Sequence, residues 1–241
     1  MESKVILLGT GTPNIDPNRS GPSVAIVIGD STYIIDFGPG VVRRAIAAGI
    51  KTKSLTRAFL THLHSDHTIG YPDLIFTPAV DGRKEPLEVY GPKGLVDMTQ
   101  HIQKAYKADV RERFDGLEPA IESGYVVNAH EIWEGIIYQD EHIEVESFRV
   151  DHGSLEAYGY KFTTPKKTIV ISGDTCPSSN LIEKAMDCDI LIHEVYSAEG
   201  LKERPDEWIR YHSSVHTSTY ELAEIVNQVK PNLLVLYHQL F

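Results

Sequence analysis

Short apolar runs closed by glycine and proline dominate the first third of the chain. Residues 4–8 (KVILL) form a continuous run of strand length that stops at Gly9-Thr10-Gly11-Thr12-Pro13, where two glycines and a proline force a turn. Strands are expected at 23–28 and 32–36. Gly38-Pro39-Gly40 breaks the second, and residues 41–48 (VVRRAIAA) have the spacing of a short amphipathic helix ending at Gly49. A further run, 58–61, delivers the chain to His62 at a strand end. The middle alternates a strand at 87–90, a helix-like segment at 94–107, a charged solvated helix or loop over 104–118, and β-rich stretches at 135–140 and 143–150. The last third reads strand (168–172), helix (180–186), strand (189–193), longer helix (218–229) and strand (232–237). No repeat, low-complexity tract or linker interrupts this order, so one domain is expected over residues 1–241.

Composition narrows the class. Hydrophobic residues at 41% and charged residues at 24% describe a globular chain with an ordinary core. No apolar run has the length of a membrane span and the first residues lead directly into a strand, so a cytoplasmic protein without a membrane partner is expected. The formal net charge of −11 builds no general attraction to polyanions into the surface. Two cysteines, Cys176 and Cys188, suit neither a disulfide framework nor a thiolate zinc site. Eleven unevenly distributed histidines change the picture, because imidazole is the commonest protein ligand for zinc.

Three imidazoles and a carboxylate crowd into residues 62–67, His-Leu-His-Ser-Asp-His. In an extended segment alternate side chains point the same way, so His62 and His64 can address one metal while Asp66 and His67, in the following turn, face a second. Gly70 and Pro72 supply the turn chemistry. Further ligands must come from elsewhere, and three metal-competent residues stand at the ends of apolar runs: His152 after 143–150, Asp174 after 168–172, and His238 after 233–237.

With these residues in place the chain resembles the metallo-β-lactamase-fold hydrolases, and within them the ribonuclease Z and arylsulfatase-like branch. The matching residues span nearly the whole chain: Leu8-Gly9-Thr10-Gly11-Thr12-Pro13, Asp36 before Gly38-Pro39-Gly40, residues 62–67 with Gly70, His152, Gly173-Asp174-Thr175, His193-Glu194, His216-Thr217 and His238. The resemblance implies an α/β architecture, a four-layer αββα sandwich, carrying two zinc ions. His62, His64, His152 and Asp174 would hold the first zinc, and Asp66, His67, Asp174 and His238 the second, with Asp174 bridging. The implied nucleophile is a metal-bridging hydroxide with Asp66 as proton acceptor, and the implied proton donor is His216, oriented by Glu194. His216 is preferred to His212 because Thr217 and Ser218 follow it. Asp36 either fixes the tautomer of a ligand histidine or caps its own turn, and His193 is either a core residue or part of the site's support. An all-His/Asp site also admits manganese or iron.

The chain departs from ribonuclease Z in one interval. Only 22 positions separate His152 from Asp174, room for a hairpin and not for the long arm that grips tRNA in that family. The chain also ends three residues after His238, before the further helix and strand that relatives usually carry. The expected function is therefore dinuclear zinc-dependent hydrolysis of a small phosphodiester or related anionic ester, with tRNA a doubtful substrate and a homodimer the family expectation. One alternative is an arylsulfatase-type ester hydrolase, in which Arg19 either binds the substrate oxyanion by a forked pair of hydrogen bonds or remains a surface loop arginine. The other is a metal-containing ligand-binding protein without catalysis.

Overall fold

The computed structural model describes residues Ser3–Phe241 and divides into two compact units. The first comprises strand β1 (Ser3–Gly9) and Ile15–Glu131. Its strands β1, β2 (Ser23–Ile28), β3 (Ser31–Ile35), β4 (Arg57–Phe59), β5 (Leu87–Gly91) and β6 (Val127–Glu131) form one sheet in sequence order. The first three strands pair antiparallel and β3 to β6 run parallel. Helices α1 (Val41–Ala47), α2 (Ser65–Thr68), α3 (Tyr71–Val80), α4 (Leu95–Ala105) and α5 (Lys107–Asp115) fill the connections. The core joins Ile34, Ala58 and Val89 of the strands to Val41, Leu74, Ile75 and Leu95 of the helices.

The second unit comprises Thr10–Asn14 and Ile132–Phe241. Its sheet has the order β12-β11-β10-β9-β8-β7, from β7 (Gly135–Gln139), β8 (Glu144–His152), β9 (Leu155–Thr163), β10 (Thr168–Ile171), β11 (Ile190–Tyr196) and β12 (Leu233–Leu240). Here β7 to β10 are antiparallel and β10 to β12 parallel. Helices α6 (Ser179–Ala185), α7 (Ala198–Leu201), α8 (Asp206–Val215) and α9 (Thr219–Val229) connect them. Each unit is thus a mixed sheet with helices, and the candidate residues of each stand near the C-terminal ends of its parallel strands, where open α/β sheets place chemistry. Among the described residues no helix is long and apolar enough to cross a membrane.

Most expected elements form near their expected bounds, with informative differences. Helix α3 contains Pro72 in its first turn and Pro78 inside it, so its sequence reads as punctuation and not as helix. Pro78 has no N–H to give the Leu74 carbonyl, and the helix survives because the wholly buried Arg83 guanidinium bonds that oxygen at 3.2 Å. The same side chain reaches Leu55 O at 3.0 Å, Ile75 O at 2.9 Å and Gly124 O at 2.7 Å. Helix α8, rich in charged and aromatic residues after Pro205, and the edge strand β6 are also absent from the sequence reading. Strand β8 runs on to include His152. β12 does not stop before His238 but continues to Leu240 across an irregularity.

Candidate metal centre and its supporting residues

In the first unit, β3 and β4 end side by side, and the Asp36 N–H bonds the Phe59 carbonyl at 2.9 Å. Asp36 adopts φ 56°, a conformation rare outside glycine, and its buried carboxylate turns toward the residues that follow β4. The Thr61 N–H donates to Asp36 Oδ1 at 2.8 Å and the Thr61 hydroxyl donates to the same carboxylate at 3.0 Å. With its one proton committed, Thr61 Oγ1 accepts from His62 Nδ1 at 3.0 Å. His67 Nδ1 donates directly to Asp36 Oδ2 at 2.8 Å. One carboxylate therefore sets the tautomer of two histidines, directing Nε2 of each away from it.

His62 Nε2 then lies 3.0 Å from His64 Nδ1, and His67 Nε2 lies 3.6 Å from Asp66 Oδ2. His62, Asp66 and His67 are buried and His64 is partly so. The turn carrying Asp66 packs tightly on glycine. A Cβ on Gly38 would stand 2.6 Å from the Asp66 carbonyl oxygen, so no larger residue fits. Arg19 lies in an exposed loop with its Nε 3.5 Å from Asp16, a local ion pair that engages the guanidinium expected to meet an oxyanion.

In the second unit, Gly173 (φ 63°) turns the chain after β10 and presents Asp174. His152, the last residue of β8, donates from Nδ1 to the Val215 carbonyl at 2.8 Å, and its Nε2 is 4.0 Å from Asp174 Oδ2. His238 is the extra residue of a β-bulge. Tyr237 pairs with Glu194 and Gln239 with Val195, leaving His238 between them at φ 45°, which re-aims its ring so that Nε2 is 3.2 Å from Asp174 Oδ2. Asp174, His216 and His238 bring ligand-competent atoms within 4.8 Å of one another.

Glu194 is wholly buried in β11 and accepts from His216 Nδ1 at 2.9 Å and from the Thr175 N–H at 3.0 Å. Burial pushes the Glu194 carboxyl up, and the bond to His216 pulls it back toward the charged form. His216, the residue that caps α8, turns Nδ1 to Glu194, whereas His212, one turn earlier, makes no bond to Glu194. His193 is buried with Nδ1 on the Glu194 carbonyl at 2.6 Å and Nε2 without a hydrogen-bond partner; burial holds its imidazole down at about 4.

The donor sets fit divalent cations. A carbonyl cannot donate, so His152 Nδ1 carries the proton; in the neutral ring Nε2 is then an acceptor facing another acceptor, the Asp174 carboxylate. The His67–Asp66 pair repeats this, since the Asp36 carboxylate fixes the proton on His67 Nδ1. Acceptors held face to face in buried positions are stabilised by a cation between them, and imidazole with carboxylate is the usual ligand chemistry for zinc and its neighbours.

Known proteins resemble this chain in sequence and in fold. The family described as "Anti-Pycsar protein Apyc1" matches residues 3–239. A protein named Ribonuclease Z from Mycobacterium sp. (strain KMS) is 31% identical over 240 residues, covering 98% of this chain and 84% of the relative. Among solved structures, the short form of human tRNase Z (ELAC1) superposes with TM-score 0.78 at 22% identity, covering 100% of this chain and 93% of that one. The metallo-β-lactamase-fold protein YhfI from Bacillus subtilis gives 0.75 at 17%, covering 99% and 86%. The fold expected from the sequence is the fold of these structures.

Proposed function

The chain belongs to the Anti-Pycsar protein Apyc1 family and is a metal-dependent phosphodiester hydrolase, and we propose that it uses two divalent ions, zinc or its neighbours, on a small phosphodiester. The observation that carries this reading is the pair of acceptor-to-acceptor contacts, His67 to Asp66 and His152 to Asp174, each with its histidine proton fixed on the far nitrogen. We assign His62, His64, Asp66 and His67 of the first unit, and His152, Asp174 and His238 of the second, as the ligands of these ions. When bound, such ions lower the pKa of water and polarise phosphoryl oxygens.

The chain's own residues do the rest. Asp36 orients His62 and His67. Asp66 takes the proton of the attacking water. His216, with Nδ1 on Glu194, delivers a proton from Nε2 to the departing alkoxide, and the Glu194 carboxylate stabilises the imidazolium before transfer. The small-substrate assignment rests on the interval from His152 to Asp174, which is taken up by β9, β10 and their turns, and on the net charge of −11. His64→Ala tests the reading: metal content and turnover of bis(p-nitrophenyl) phosphate should both be lost, and undiminished turnover by metal-free protein overturns it.

A further inference from the structure

Helix α8 carries aromatic rings at helical i, i+4 spacing, and their order is the observation of interest. Trp208 stacks on His212 (centroids 5.6 Å apart, planes at 24°), His212 stacks on His216 (5.4 Å, 28°), and His216 stacks on His238 (5.7 Å, 23°). The ring of His216 thus stacks with both His212 and His238, with His152 edge-on at 5.1 Å. The His216 N–H also bonds the His212 carbonyl at 3.0 Å, so residue 212 holds residue 216 by backbone and by ring. Trp208 is half exposed and His212 is buried.

We propose that His212 is a positioning residue for the proton donor: its ring face fixes the plane of His216 so that Nε2 addresses the leaving group. This rests on the reading of His216 as the acid. The Cβ attachment and the bond to Glu194 hold the Cγ–Nδ1 edge of the His216 ring, and packing on its face sets the tilt about that edge. The ring of His212, itself stacked on Trp208, opposes that tilt. No proton passes through His212, so the requirement is for an aromatic face and not for an imidazole.

The experiment compares His212→Leu with His212→Phe in metal-loaded protein, with His216→Ala as reference, on bis(p-nitrophenyl) phosphate and on a methyl phosphodiester whose alkoxide needs protonation. Stacked pairs of ordinary strength correspond to about 3- to 10-fold in rate. His212→Leu should lose about that much in kcat on the methyl ester, little on the p-nitrophenyl ester, and leave KM and metal content unchanged. His212→Phe should restore most of the loss. Equal effects on both substrates for His212→Leu, or a His212→Phe variant no better than His212→Leu, overturn the proposal. If His216→Ala itself shows no preference for the leaving group, the acid assignment has failed, a result distinct from failure of the stack alone.

Discussion

Asp36 shows how a single carboxylate can govern residues it does not resemble in function. It bonds His67 directly and His62 through Thr61, so its loss releases two candidate ligands while leaving every ligand atom in the chain. Asp36→Asn should weaken metal affinity by about 10- to 100-fold, read by competition with a chromophoric chelator, while the protein still folds. At Glu194 the expected effect is on chemistry and not on loading. Glu194→Gln keeps the volume but removes the charge that supports the His216 imidazolium, so kcat on an alkyl phosphodiester should fall about 10- to 100-fold at unchanged metal content. His212 gives a pH prediction. Burial first, then His216, Arg204 and His238, holds its imidazole down at about 4 from an ordinary 6.5. The folded state favours the neutral ring, so this contribution is complete above 6.5 and is lost as pH falls toward 4. Urea denaturation across that window should show wild type losing stability relative to His212→Phe as pH falls; parallel curves would contradict it.

At the scale of elements, the candidate ligands are legible in the sequence and the local geometry around them is not. The hexapeptide at 62–67 and the strand-end positions of His152, Asp174 and His238 stand out because metal-competent side chains follow apolar runs. The bulge that gives His238 φ 45° leaves no mark in the sequence, since it depends on pairing with β11. Helix α3 was hidden for a different reason: Pro78 breaks the local pattern, and the repair comes from Arg83 beyond the helix end. The sequence offers an arginine after Asp81-Gly82 but no sign that it is wholly buried. Replacing Arg83 removes its bonds to four buried backbone carbonyls. Arg83→Met should therefore destabilise the protein by about 3–5 kcal/mol in urea titrations, far more than a surface arginine, with Arg83→Lys intermediate.

At the scale of the whole chain, the candidate ligands of each unit are histidines and aspartates, with no soft ligand among them. Activity on a small phosphodiester should therefore depend on bound divalent metal. The decisive measurement is elemental analysis of freshly purified protein, paired with assays on bis(p-nitrophenyl) phosphate, a cyclic nucleotide, an aryl sulfate and pre-tRNA before and after chelation. The account predicts about two divalent ions per chain, turnover of the small phosphodiesters in preference to the sulfate and the RNA, and loss of that turnover on chelation with recovery when zinc or manganese is restored. Phosphodiester turnover that persists at full rate in protein shown to hold no metal would contradict it.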